Sequence, residues 1–172
     1  LDANNQPTGF DVELAQEMAQ RWLGDRNRVY FIQVTAADRI PQLLSGNVDL
    51  LLAALEYRRE RDAFIDYSQE YYLGGQGLLT RAALKASQVD ALTADVVSLA
   101  QFAQENSDLQ ILRERLTQEP YAIGVQQGDS DFRDMVNITL QDMKKDGFYD
   151  GLYRKWFPTD EPFAIEVEPG EW

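Results

Sequence analysis

The sequence predicts an α/β fold, and three observations carry that reading. Helix-like and strand-like stretches alternate through its first third, which argues for strands joined by crossover helices in a parallel sheet. A short pattern repeats, "LLSGNVDLLLA" at 43–53 against "LKASQVDALTA" at 84–94, as two lobes of similar build would leave in one chain. The composition, 44% apolar and 26% charged over 172 residues, is that of a packed soluble protein rather than a disordered or collagen-like chain. That length suits one ordinary domain or two small lobes sharing a core.

Taken in order, "GFDVELAQEMAQRWLG" is the first helix. Leu14, Met18 and Trp22 share a face with Ala15 and Ala19 beside them, Asp11 suits the positive end of the helix dipole, and Gly24 marks the stop. "RVYFIQV" (28–34), rich in β-branched and aromatic residues, predicts a strand. "DRIPQLLSG" predicts a short helix, and the continuous apolar run "VDLLLAA" a strand covered on both faces. Beyond Tyr57 the alternation breaks. "AALKASQ" reads as helix and "VDALTAD" as strand; Asp95 then stands where it would cap a helix, "VVSLAQFAQEN". "DLQIL" and "YAIGV" are further strands. "SDFRDMVNITLQDMKKDG" is a strong helix with Phe132, Met135, Val136, Leu140 and Met143 on one face, and "FYDGLYRKWFP" a short aromatic helix stopped by Pro158. Tyr149, Tyr153, Trp156 and Phe157 read as core packing under it. The tail "TDEPFAIEVEPGEW", with five acids and no base, reads as a solvated extension.

Several chemistries are excluded by residue type. With no Cys and no His, thiol nucleophiles, Ser-His-Asp triads, the usual zinc sites and iron–sulfur clusters are out of reach. No cofactor or metal is expected: "GDSDFRD" and "DGFYDG" lack the alternating ligands and closing Glu of a calcium loop. A net charge of −13 opposes nucleic-acid binding. No apolar run reaches the roughly eighteen residues of a membrane span. No basic-then-apolar leader opens the sequence, so an exported protein would have had its signal removed. Against this acidity, "ALEYRRERDAFIDYSQEYYLGGQGLLTR" (54–81) sets three arginines within four positions, at 58, 59 and 61.

These stretches resemble a known family. "GFDVELAQEMAQRW", "RIPQLLSGNVDLLLAA", "RRERDAFIDYSQEYYLGGQGLLTR", "QVDALTAD", "EPYAIGVQQGD" and "LQDMKKDGFYDGLYRKWF" are similar, in the same order, to the type II periplasmic solute-binding proteins of amino-acid ABC transporters, the bacterial extracellular solute-binding family 3. The resemblance implies a two-lobed periplasmic-binding-protein-like (type II) fold that closes on a small ligand, with lobe one at 1–80, lobe two at 81–122 and a return to lobe one at 123–172. It implies an exported, periplasmic or extracellular protein that is no enzyme, takes an amino-acid-like ligand and delivers it to a membrane ABC permease. By this resemblance Arg61 grips the ligand's α-carboxylate, Ala54 supplies a small backbone position at the strand exit, Glu56 stands where the family has Ser or Thr, and Asp95 takes the ammonium group. A planar, permanently charged guanidinium suits a carboxylate because it offers two parallel hydrogen bonds.

Other readings stay beside these. Arg61 has the alternative of a surface pair with Glu60 or Asp62, and Asp95 that of a plain helix cap. Glu56 either neutralises Arg61, prefers a ligand with an added cationic group, or marks a lost site. Arg58 and Arg59 read as a solvated loop, and Gly74, Gly75 and Gln76 as a backbone crossing between lobes or a flexible turn. A dehydratase-like enzyme on the same fold, with Glu56 as its acid, and the sensor module of a larger receptor are the alternative functions. The resemblance also implies two missing pieces: the first strand with its aromatic loop ahead of "LDANNQPTGF", and the opening of lobe two between Arg81 and Ala82.

Overall fold

Helix α1 (Phe10–Leu23) forms where apolar spacing predicts it. Leu14 and Met18 are buried, and Gly24 closes it in the left-handed conformation (φ 74°), its N–H donating to the Gln20 carbonyl at 3.0 Å. A computed structural model describes residues 6–81, 92–95, 99, 109–111, 116–158 and 161–166. After α1 come α2 (Arg39–Leu44), β1 (Leu50–Leu51), β2 (Ile65–Gly74), β3 (Gln76–Arg81), β4 (Leu92–Asp95), β5 (Leu109–Ile111), β6 (Glu119–Gln126), α3 (Ser130–Lys145) and α4 (Phe148–Trp156). They fall into two compact units, one of Leu1–Tyr71 with Ala122–Trp172, the other of Tyr72–Tyr121. Both β2 and β6 run from one unit into the other.

Unit one holds a sheet in the order β1-β6-β2, with Leu50 opposite Val125 and Leu51 opposite Gly124 in an antiparallel ladder. Leu43, Leu51, Leu55 and Ile65 form a buried cluster with Ile40, Val48 and Tyr67 packed on it. Gly124 lets the chain pass close there: a Cβ would stand 2.8 Å from Leu55 Cδ2 and force that side chain to shift. Helix α3 buries Val136, Leu140 and Met143 as its spacing predicts, while Met135 is 38% exposed. Asp129 caps it, accepting from the Phe132 N–H at 3.1 Å. The Trp22 indole N–H donates to Thr139 Oγ1 at 2.8 Å, tying α1 to α3. Of the aromatic residues expected in the core here, Tyr149 and Tyr153 are buried against Phe10, with the Tyr149 hydroxyl donating to the Tyr71 carbonyl, while Trp156 and Phe157 are half-buried. Ser68, also buried, accepts from the Ile123 N–H at 2.9 Å. Ser68→Ala leaves that N–H without its partner and is expected to cost about 1–3 kcal/mol, read by denaturant unfolding.

In unit two β3 lies between β4 and β5, antiparallel to both, with Gln76 opposite Asp95 and Arg81 opposite Leu109. The strands expected from "VDALTAD" and "DLQIL" are β4 and β5. The helix expected from "AALKASQ" lies outside the described residues, as does that from "VVSLAQFAQEN" except for Leu99, which is helical and buried.

Three expectations need correction. Residues 28–34 are not a strand: Tyr30 is 97% exposed, and among the described residues the backbone of 29–34 makes no backbone hydrogen bond. Strand propensity becomes a strand only where a ladder partner exists. Where the alternation predicts parallel pairing, the β1–β6, β3–β4 and β3–β5 ladders of the described residues are antiparallel, and β1 spans two residues. The acidic tail is not wholly solvated either. Ile165 is buried and the Phe163 carbonyl accepts from Lys144 Nζ at 3.2 Å, because apolar residues sit among the acids.

A cleft of about 710 Å³ opens in unit one between α1, residues 28–34 and β1, lined by Ala15, Met18, Trp22, Tyr30, Ile32 and Leu51 among others. Among the described residues no helix is long and apolar enough to cross a membrane.

Candidate functional site

Where the chain leaves β1, residues 53–56 follow a backbone path that is tied at nearly every step. Arg39 of α2 donates from Nη1 to the Ala53 carbonyl at 2.8 Å and to the Ala54 carbonyl at 3.4 Å. The Ala54 N–H donates to Asp11 Oδ2 at 3.2 Å, and the other oxygen of that carboxylate accepts from the Tyr71 hydroxyl at 2.9 Å. The Leu55 carbonyl accepts from the Ala122 N–H at 3.0 Å. Ala54 itself has φ 46°, in the left-handed region where a residue with a Cβ is uncommon.

Arg61 sits in the turn that follows, half-buried, and donates from Nη1 to the Glu56 carbonyl at 3.0 Å. Among the described residues it forms no ion pair. The structure thus removes two of the plainer readings. Glu56 does not neutralise Arg61, because its Oε2 lies 2.5 Å from Arg58 Nε. Asp62 accepts instead from the Tyr57 hydroxyl at 2.7 Å. Arg58, read as a solvated side chain, is the partner of Glu56, with 56% of its side chain exposed. Beside Arg61 stands Tyr67, half-buried; burial raises its hydroxyl pKa, and the adjacent Arg61 guanidinium draws it back down. A forked cationic donor with no carboxylate of its own can take one from a ligand, and repels a metal ion.

Ala54, Glu56 and Arg61 are thus gathered in one exit turn of unit one. Asp95 is the last residue of β4 in unit two, opposite Gln76, whose N–H donates to Thr117 Oγ1 at 2.8 Å and whose carbonyl accepts from the Leu116 N–H at 2.7 Å. The helix that Asp95 is expected to cap begins outside the described residues. The cleft beside α1 does not reach Ala54, Glu56 or Arg61.

Sequence reasoning missed Asp11, read there only as a helix-dipole acid. Its partner Ala54 lies 43 residues away, and no local pattern announces that contact. Burial raises the Asp11 pKa, and the hydrogen bonds from Tyr71 and Ala54 offset part of the rise. The native state therefore keeps this proton to higher pH than the unfolded chain does, and ionising Asp11 costs stability as pH rises above about 4. Asp11→Asn cannot ionise. Its stability relative to wild type is expected to improve between pH 4 and pH 7 in parallel denaturant titrations, and a constant difference would contradict the assignment.

An α/β chain that divides into two units, with a half-buried guanidinium in the turn after a strand of one, is built as a small-molecule binding protein. The fold likeness agrees: a variant of ArgBP from T. maritima superposes with a TM-score of 0.76 at 26% identity, covering 91% of this chain and 88% of that one. The solute receptor for L-cysteine of Neisseria gonorrhoeae does so at 0.78 and 25%, covering 91% and 83%. The chain belongs to the bacterial extracellular solute-binding proteins, family 3, whose pattern matches residues 1–159. Among relatives in sequence, the ABC transporter glutamine-binding protein GlnH of Bacillus subtilis (strain 168) is 30% identical over 200 aligned positions, 88% of this chain and 73% of the relative. The putative ABC transporter arginine-binding protein 2 of Escherichia coli (strain K12) is 24% identical, covering 91% and 84%. The alignment to GlnH is longer than the 172 residues here, so the relative carries positions that this chain lacks. The fold also borders on enzymes: an ancestral amino-acid-binding protein described as a precursor of cyclohexadienyl dehydratase matches with a TM-score of 0.76 at 26% identity, covering 91% of this chain and 88% of that one.

Proposed function

We propose that the protein captures an amino acid or similar small zwitterion outside the cytoplasmic membrane and delivers it to a membrane ABC permease, without catalysis. The observation that carries this reading is Arg61: in a chain of net charge −13, a half-buried guanidinium meets no carboxylate among the described residues and rests on one backbone carbonyl. An α-carboxylate is its natural partner, and Asp95 is the proposed acceptor of the ammonium group. A few charge-assisted hydrogen bonds at roughly 1.5–3 kcal/mol each suffice for micromolar affinity, about 8 kcal/mol. Glutamine and arginine, named in the relatives' descriptions, are the first ligands to try. Glu56 does not favour the dehydratase alternative, since its carboxylate is engaged by the exposed Arg58.

A thermal-shift screen with amino acids tests the proposal. A true ligand at a thousand times its Kd adds about 4 kcal/mol to the native state and raises the melting temperature by several degrees. If no amino acid does so, and Arg61→Ala responds to the panel as wild type does, the proposal fails.

A further inference from the structure

We propose that Asp11 is a positioning residue for ligand binding: it holds Ala54 in the left-handed conformation and thereby sets the backbone on which Arg61 is mounted. The inference rests on Arg61 being the carboxylate contact. Ala54 is the one described non-glycine residue at positive φ (46°), and its N–H is donated to Asp11 Oδ2 at 3.2 Å. Such a conformation persists only when its surroundings impose it. The imposing groups come from three elements: the Asp11 carboxylate of α1, steadied by the Tyr71 hydroxyl of β2 at 2.9 Å, and Arg39 of α2, which donates to the Ala53 and Ala54 carbonyls. Two residues beyond Ala54, the Glu56 carbonyl accepts from Arg61 Nη1 at 3.0 Å. If φ at Ala54 returned to negative values, the direction of the following peptides would change, and the anchor of the guanidinium would move with them. Asp11 does not touch the ligand. It acts through Ala54.

The test is a double-mutant cycle between positions 11 and 54, because glycine adopts positive φ without help. With alanine at 54, Asp11→Ala is expected to weaken binding of L-glutamine or L-arginine, whichever stabilises the wild type, by about tenfold. With Ala54→Gly in the background, the same change is expected to have an effect near unity. An equal loss in both backgrounds means that Asp11 acts by some other route, and it overturns the proposal. A second readout needs no ligand, so it separates this inference from the function it rests on. The Ala54 Cα and Cβ chemical shifts are expected to leave left-handed values in Asp11→Ala, and shifts that stay in place refute the clamp. Should that variant not fold, the wild type still decides. Ala54 is exposed, yet its amide is expected to exchange with solvent about a hundredfold more slowly than an unprotected one; unprotected exchange sinks the idea.

Discussion

Arg61→Ala is expected to abolish amino-acid binding at ordinary ligand concentrations while leaving the protein folded. A guanidinium that meets a carboxylate through two charge-assisted bonds contributes roughly 1.5–3 kcal/mol through each, so their loss weakens affinity by about two to four orders of magnitude. The cost to the native state is far smaller. The Arg61 side chain donates to the Glu56 carbonyl, a bond worth on the order of 1 kcal/mol, which at this chain length moves the melting temperature by about 2–4 °C. Calorimetric titration alongside thermal melts separates the two effects. Arg61→Lys keeps the charge and loses the fork, and is expected to recover only part of the affinity. Unchanged binding in Arg61→Ala would remove the central residue of the proposed site.

Gly75→Ala is expected to produce the largest loss of stability from a single methyl group. Gly75 has φ 149°, and a Cβ there would stand 2.1 Å from the Thr117 carbonyl oxygen, which is backbone and cannot rotate away. Relief requires the start of β3 to part from residues 116–117, where Gln76 exchanges bonds with the Thr117 hydroxyl at 2.8 Å and the Leu116 N–H at 2.7 Å. Overpacking together with backbone strain and broken hydrogen bonds places the cost at about 3 kcal/mol or more. Thermal melts measure the loss, and faster exchange of the Leu116 amide locates it in unit two. A variant as stable as wild type with that amide still protected would show that the strand can step aside. At Gly74 a Cβ would lie 2.5 Å from the Tyr121 ring, a side chain that would have to shift to admit it. These paired glycines are therefore a tight passage rather than a flexible turn.

Much of this architecture could be read in advance wherever one element carries its own signal. Helices α1 and α3 announce themselves because Leu14 and Met18, then Val136, Leu140 and Met143, recur at the helical period, with Gly24 marking the end of the first. Residues 28–34 show the opposite case. Their β-branched and aromatic side chains state a preference, but a strand is a relation between two backbones, and the partner cannot be read from one of them. The site divides along the same line. Arg61 stands out as a candidate through the motif around it and its charge in an acidic chain, and its contact with a ligand is part of the proposal. That Glu56 pairs with Arg58 rather than with Arg61 depends on the path of a turn. That Asp11 reaches Ala54 depends on how α1 lies against the exit of β1, which residue spacing does not encode.

Unit one is assembled from the first and last stretches of the chain, and this sets the order of events during synthesis. The bonds that join Trp22 to Thr139, Arg21 to Asp146 and Glu13 to Lys155 span 117, 125 and 142 residues. At about 5–20 residues per second of translation, the ribosome delivers the last of these partners roughly 7–28 s after the first. Throughout that interval the nascent α1 carries Leu14 and Met18 before the two late helices that pack on it have been made, so its apolar face is completed only when synthesis is nearly over.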